Sequence, residues 1–330
     1  MPGLESPALF CSGCRIRCSD CRNHCLDGRT RRRLALPVLP QSAGTWDPFR
    51  NLIEIVHVER DYTGVIYADR LARRGFDLLI IARDSKRLTD LSSELTSKTG
   101  RKVDIIAANL TNKQDLRKVE SRLQSDTSIS LLVNNAGFGG TKSLVHSSID
   151  DLEDMIALNV TALTRLTAAV LPNLLTRKQG VIINIASVVA LNPELLNGTY
   201  SGTKAYVVNF TQSLFETLKN TGVQVQAVLP GAIRTEFWDR AGIPIQNLDD
   251  FVMSADDCVD AALIGLDRHE LITIPALPDI QLWNRYDEAR RALYLSSQIA
   301  KLRSGMGFTT KLYYEKLTLG YNTRNRCFTG

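Results

Sequence analysis

Tyr200 and Lys204 stand four residues apart in Tyr200-Ser201-Gly202-Thr203-Lys204. On a helix that spacing puts both side chains on one face. A free phenol, with a pKa of about 10, is a poor proton donor or acceptor at neutral pH. A neighbouring ammonium favours the phenolate and moves that value down. The pair therefore suits general acid/base work on an oxygen that changes its protonation state. A Tyr-x-x-x-Lys pattern alone carries little weight, because short patterns recur by chance. Its surroundings give it weight. Ser187 lies thirteen residues before Tyr200, and Asn159 lies twenty-eight residues before Ser187. Asn134-Asn135-Ala136-Gly137 follows one apolar run, and Pro230-Gly231 follows another, with Thr235 just beyond.

These groups need a frame. Strand-like runs occur at Leu52–Val58, Asp77–Ala82, Val103–Ala107, Ile129–Val133, Val181–Ala186, Val223–Leu229 and Leu271–Ile274. Most are nearly continuous Val, Ile and Leu, as strands buried on both faces of a parallel sheet require. Helical segments lie between them, including Val65–Arg74 and one opened by a capping-box pattern, Thr111-x-x-Gln114. The alternation implies an α/β fold, a doubly wound parallel sheet of the Rossmann type. Such a sheet binds ligands at the carboxyl ends of its strands. Each polar group named above falls at such an end or just inside the next helix.

In this order and at these spacings, the residues resemble the short-chain dehydrogenase/reductase family, from about Leu52 to Trp283, some 70% of the chain. The resemblance implies an NAD(P)-dependent oxidoreductase interconverting a carbonyl and an alcohol on a small substrate. It implies that Tyr200 exchanges a proton with the substrate oxygen. Lys204 would tune the tyrosine and bind the nicotinamide ribose, and Ser187 would orient the oxygen and stabilise its charge. Asn159 would hold a water in a proton relay through Lys204. Asn134, Ala136 and Gly137 would line the cofactor crevice with Pro230 and Gly231, and Thr235 would contact the carboxamide. Taken singly, Ser187 and Asn159 could each be a helix cap, and Asn134 and Gly137 plain turn residues. Arg83 ends the second strand, where an arginine pairs with a 2′-phosphate. NADP(H) is therefore expected over NAD(H), although Asp84 beside it counts the other way. Asn109 stands where the family has an adenine-contacting aspartate, and its amide oxygen can still accept a hydrogen bond. Residues beyond Gly231, among them Phe237, Trp238 and Ile243, would roof an apolar substrate pocket. The apolar segment Thr161–Leu175 would serve as core and as the face of a homodimer or homotetramer.

The glycine-rich loop is where the pattern fails. The family places Thr-Gly-x-x-x-Gly-x-Gly before its first helix, so that backbone can approach a pyrophosphate. Here the segment is Val58-Glu59-Arg60-Asp61-Tyr62-Thr63-Gly64, and only Gly64 of three glycines remains. Two readings stay open. The chain has lost ordinary cofactor binding and acts as a scaffold or regulator, or an altered stretch (a shifted exon boundary or short frameshift) precedes an intact reading frame.

The flanks differ from the middle. Residues 1–51 hold eight arginines, four acidic residues and five cysteines, Cys11, Cys14, Cys18, Cys21 and Cys25. They carry most of the net charge of +5. The run Arg29 to Arg33 has no interleaved aromatics, which a nucleic-acid stacking platform would want. It reads as a solvated tail with no nucleic-acid or membrane partner. Only three residues separate Cys14 from Cys18, too few for the usual zinc half-site spacing, so no metal is expected. Outside this tail only Cys258 and Cys327 remain, which suits a reducing compartment and a cytoplasmic protein. No signal-peptide pattern is apparent, and the longest continuous apolar run, around Leu78–Ala82, has strand length. Residues 296–330 read as a polar C-terminal tail, leaving 52–295 as the cofactor-binding domain.

Overall fold

A parallel sheet with helices on both faces carries the chemistry-bearing residues. The structure is a computed structural model and describes residues 53–57, 62–140, 142–194, 196, 198–234 and 252–297. The strands are β1 (Ile53–His57), β2 (Asp77–Ala82), β3 (Val103–Ala107), β4 (Ile129–Asn134), β5 (Gly180–Ile185), β6 (Val223–Val228) and β7 (Ile272–Thr273). The helices are α1 (Tyr62–Arg73), α2 (Ser85–Thr99), α3 (Lys113–Ser125), α4 (Ile149–Ile156), α5 (Leu163–Arg177), α6 (Gly198–Thr217), α7 (Ala255–Asp267) and α8 (Gln281–Ser297). The sheet order is β3-β2-β1-β4-β5-β6-β7, all parallel. Strand order reverses between β1 and β4, which places the crevice of a doubly wound sheet there.

Burial follows position in the sheet. Every residue of β4 and β5 is buried, as is all of β2 after Asp77. Edge strand β3 alternates instead and leaves Ile105 39% exposed, because one face of an edge is less covered. The main core joins β2, β4 and β5 to α3 and α5 through Leu79, Leu132, Val170 and Leu174. A second cluster around Val207, Leu229 and Trp283 ties α6 to the β6–β7 side and to α8. Chain turns use local chemistry. Gly100 closes α2 in the left-handed conformation (φ 69°) and donates its N–H to Thr96 O, a cap that other residues adopt only with strain.

Three details differ from the sequence expectation. Helix α3 is capped by Asn112, whose side chain accepts from the N–H groups of Gln114 and Asp115; Thr111 instead bonds to Asn109. Asn and Asp-type caps one residue closer to the helix win over the Thr-x-x-Gln pattern. Helix α1 begins at Tyr62, three residues before the first apolar residue of its periodic pattern. Finally, Ile149–Arg177 is one continuous helical run of 29 residues, apolar and long enough to cross a membrane by length and composition. Its interior polar residues are largely Asn and Thr, so no unbroken apolar string signals it. Half of its most apolar window is buried within the body, where α5 packs on α3, β4 and β5.

Candidate active site

The ends of β4, β5 and β6 meet the helical segments bearing Asn159 and Tyr200 in one place. Lys204 sits one turn after Tyr200 on α6, and its ammonium lies 5.9 Å from the centroid of the Tyr200 ring. The ammonium is buried (5% exposed) and donates to the carbonyl of Ile185, the last residue of β5, at 2.9 Å. A lone buried ammonium would be costly; the carbonyl and the adjoining crevice keep it solvated by protein. Ser187 follows two residues later, with extended backbone, as the cap of a short turn at Val188–Ala190. Its hydroxyl donates to Pro230 O at 3.4 Å and accepts from Val189 N at 3.3 Å. Both bonds are long, so the hydroxyl can be redirected to another acceptor at small cost.

Asn159 lies in a π-helical segment, Ala157–Ala162, between α4 and α5. Wide turns of this kind inside a helix are common at functional sites. Its side chain is 1% exposed and fully used. The amide oxygen accepts from Phe138 N at 3.1 Å, and the amide nitrogen donates to Phe138 O at 2.9 Å and to Thr203 Oγ1 at 3.0 Å. It therefore clasps the loop after β4 and touches α6. Gly137, in that loop, lies against both partners: a β-carbon there would meet Asn159 Oδ1 at 3.0 Å and Lys204 Nζ at 3.2 Å. Asn159, Gly137, Ser187, Tyr200 and Lys204 thus form one constellation.

The other residues singled out in the sequence take varied places. The Asn134 side chain turns inward, donating to Thr167 Oγ1 (3.0 Å) and Asn184 Oδ1 (2.8 Å), while Asn184 donates to Thr211 Oγ1 (2.9 Å). It anchors the end of β4 to α5, β5 and α6, and leaves its backbone, not its side chain, to face the crevice. Ala136 lies between that anchor and Gly137. Pro230 is buried and receives Val188 N at 3.0 Å; a β-carbon on Gly231 would meet open space. Gly64 is buried in the first turn of α1. Arg83 is exposed at the end of β2, while Asp84 caps α2, accepting from Arg87 N at 3.1 Å. The amide oxygen of Asn109 already accepts from Thr111 N and Thr111 Oγ1. Its amide nitrogen is the group left to reach a base, so it would donate to an adenine ring nitrogen where an aspartate would accept. Thr235, Phe237, Trp238, Ile243, Val58 to Asp61 and the cysteine cluster lie outside the described residues.

Two sets of residues escaped the sequence reading. Thr203 was visible only as filler between Tyr200 and Lys204, and Asn184, Thr167 and Thr211 looked like polar interruptions in apolar runs. Their signal was weak: a hydroxyl or amide at a position that the burial pattern makes fully internal.

A family model for short chain dehydrogenase matches residues 63–243. The chain belongs to the short-chain dehydrogenase family. The match begins at Thr63, so Val58 to Tyr62 of the altered segment lie outside it. Among solved structures, a short-chain dehydrogenase from Sphingobium yanoikuyae in complex with NADPH is 42% identical, with a TM-score of 0.74, covering 77% of this chain and 99% of that one. A bulky-bulky ketone specific alcohol dehydrogenase from Comamonas testosteroni is 39% identical, with a TM-score of 0.69, covering 79% and 98%. Human 17-beta-hydroxysteroid dehydrogenase type 3 is 29% identical over 249 residues, 74% of this chain and 80% of that protein. The chain also matches 191 residues of a bovine very-long-chain 3-oxoacyl-CoA reductase at 33% identity, spanning 61% of that protein. This is an NAD(P)-dependent oxidoreductase fold with a nicotinamide cofactor as its redox partner.

Proposed function

We propose that this short-chain dehydrogenase reversibly reduces a bulky, apolar ketone to a secondary alcohol, with NADPH favoured over NADH. The observation that carries the reading is the buried Lys204 ammonium held beside the Tyr200 ring and against Ile185 O, two residues before Ser187, with Asn159 and Gly137 packed around it. The residues present fit a dinucleotide at this crevice. Gly137 lets the loop after β4 close on Asn159 and Lys204, Lys204 offers a buried cation, and Arg83 stands exposed at the end of β2.

A nicotinamide held beside Lys204 would supply hydride to the carbonyl carbon. The chain's own groups handle the oxygen. Ser187 gives up its long bond to Pro230 O and donates to the carbonyl oxygen, stabilising the charge that develops there. Tyr200 transfers its phenolic proton to that oxygen, and the Lys204 ammonium stabilises the phenolate that results. Asn159 keeps the loop wall and α6 together. Oxidation runs the same steps backwards.

The apolar substrate class is supported by half-buried Val188, Ala190 and Leu191 just after Ser187 and by half-buried Phe138 just after Gly137. The names of the Comamonas, human and bovine relatives, which give a bulky-bulky ketone, a 17-beta-hydroxysteroid and a very-long-chain 3-oxoacyl-CoA, point the same way. We also propose a homodimer or homotetramer built on the outward face of α5, where Ala168, Pro172 and Leu175 are exposed. A second reading, a scaffold without cofactor, is favoured by Val58 and Tyr62 in the phosphate loop. The deciding experiment is titration of the purified chain with NADPH by fluorescence. It is followed by NADPH consumption with an aryl-cycloalkyl ketone, a 17-ketosteroid and a 3-oxoacyl-CoA. Binding with turnover of at least one supports the enzyme reading; absence of NADPH binding at millimolar concentration supports the scaffold.

A further inference from the structure

We propose that Thr203 is a positioning residue that locks the wall after β4 onto the helix bearing Tyr200 and Lys204. The proposal rests on the reading of Tyr200 as acid/base for its effect on rate, though not for its effect on structure.

The hydroxyl of Thr203 has one proton and two lone pairs. The proton goes to the backbone carbonyl of Tyr200 at 2.8 Å. That direction of donation leaves an accepting lone pair for Asn159 Nδ2, 3.0 Å away. The other proton of the same amide goes to Phe138 O, and its oxygen takes Phe138 N. One amide thus holds three points, two on the loop and one on α6. All of this is internal: Asn159 is 1% exposed and Thr203 4%. If the hydroxyl is removed, one buried N–H of Asn159 loses its acceptor, and a buried unsatisfied donor is costly. Flipping the amide offers no escape. It would set an NH2 against the N–H of Phe138 and an oxygen against its carbonyl. The remaining response is for Asn159 and the loop to swing away from α6 as a unit.

The consequence for chemistry comes through Gly137. Its α-carbon shares one small space with Asn159 Oδ1 and Lys204 Nζ. A loop that drifts from α6 takes Gly137 with it and opens that space beside the ammonium. The distance and direction from Lys204 to the Tyr200 phenol are then no longer fixed. Thr203 touches neither substrate nor cofactor in this arrangement; it acts through Asn159.

The test uses three variants of the full chain. Thr203→Val keeps the shape and loses the hydroxyl, Thr203→Ser keeps the hydroxyl and loses a methyl, and Tyr200→Phe is the control for the chemical reading. Hydrogen–deuterium exchange is followed across the sheet, together with kcat, KM and the pH dependence of kcat. In Thr203→Val, exchange of the amides at 136–140 should rise at least tenfold while β2, β4 and β5 stay protected. The kcat should fall about tenfold with KM for the ketone within threefold, and the pH profile should shift. Thr203→Ser should recover most of both. Unchanged exchange at 136–140 in Thr203→Val overturns the proposal, as does exchange that rises equally throughout the sheet. Unchanged local exchange alongside an inactive Tyr200→Phe rejects this inference alone. An active Tyr200→Phe rejects the acid/base reading, while local loosening in Thr203→Val would still stand. Thr203→Ala, which removes the γ-methyl as well as the hydroxyl, carries the same expectation. Loss of the folded state in both Val and Ala variants assigns Thr203 to the core and overturns the positioning role.

Discussion

Gly137 and Lys204 are in closest approach: a β-carbon on the glycine would stand 3.2 Å from the ammonium nitrogen, and 3.0 Å from the amide oxygen of Asn159. Both neighbours are tethered, Lys204 to Ile185 O and Asn159 to Phe138 and Thr203. Gly137→Ala therefore forces a displacement of a few tenths of an ångström in groups that have little freedom to give. Misplacement of about 1 Å costs on the order of 10²-fold, so a loss of about tenfold in kcat is expected here. Thermal unfolding should shift by only a few degrees. Steady-state kinetics beside a melting curve checks both, and a Gly137→Ala enzyme of undiminished kcat would show that the ammonium has slack.

Tyr200→Phe removes the transferable proton and leaves the ring to pack. Loss of general acid/base catalysis typically costs ~10²–10⁴-fold. The variant should fold, bind NADPH as the parent does, and lose turnover by that factor. More than a third of parental kcat would remove Tyr200 from the mechanism.

The cofactor preference turns on Arg83 and Asp84. A carboxylate at the end of β2 would favour NAD by bonding the ribose hydroxyls. Asp84 is instead engaged as the cap of α2, bonded to Arg87 N, and so opposes a 2′-phosphate less than its place in the sequence suggests. NADPH should show a KM at least tenfold below that of NADH. Arg83→Ala should erase most of that gap by weakening NADPH alone. Equal KM values in the parent chain, unchanged by Arg83→Ala, would reject the assignment.

Much of this arrangement was legible in the sequence for a physical reason. Buried parallel strands need continuous apolar runs, so β2, β4 and β5 announce themselves, and the polar residues just beyond them mark the crevice. What stayed hidden depends on where a side chain turns after the backbone is placed. Nothing in Asn134-Asn135-Ala136-Gly137 says that Asn134 points to Thr167 and Asn184. Nothing in Tyr200-Ser201-Gly202-Thr203-Lys204 says that Thr203 receives Asn159 from forty-four residues away. The capping of α3 by Asn112 is a local competition between two good caps, settled by which one fits the first turn.

The phosphate loop gives a prediction that the structure narrows. Tyr62 is the first residue of α1, and among the described residues the non-glycine positions with positive φ are Lys178, Asn220 and His269. The Tyr62 backbone is helical and demands no left-handed conformation. Its ring is 54% exposed, so what remains against the pyrophosphate is bulk at the helix start and the nearby charges of Glu59 and Asp61. Replacing Val58 and Tyr62 by glycine, with small neutral residues at 59–61, should tighten NADPH binding at least tenfold, equivalent to ~1.4 kcal/mol. Low-micromolar binding by the unaltered chain would mean that the loop already accommodates phosphate.

The last prediction concerns acid stability and a clamp between α1 and α7. Arg70 on α1 reaches across to α7, donating to Asp260 (2.7 Å) and Asp256 (2.8 Å), and also to Asp69 (2.9 Å) on its own helix. Hydrogen bonding to Asp260, the largest influence, raises the guanidinium further above its ordinary range, so Arg70 stays charged at every accessible pH. Burial pushes the Asp69 carboxyl up, but hydrogen bonds from Arg73 and Arg70 outweigh it and hold Asp69 below its ordinary value of 3.8. A carboxylate depressed on folding contributes stability above its unfolded pKa, and that contribution fades as pH falls through the folded value. The clamp should therefore act fully at pH 7 and weaken below about pH 4. Arg70→Gln should lower stability by about 1 kcal/mol at pH 7, modest because the network is partly solvated. The gap between variant and parent should narrow as pH falls through the acid range. Urea unfolding of both proteins at pH 7 and pH 3 measures it. A gap that stays constant or widens toward acid would mean that Arg70 acts through packing rather than through its carboxylates.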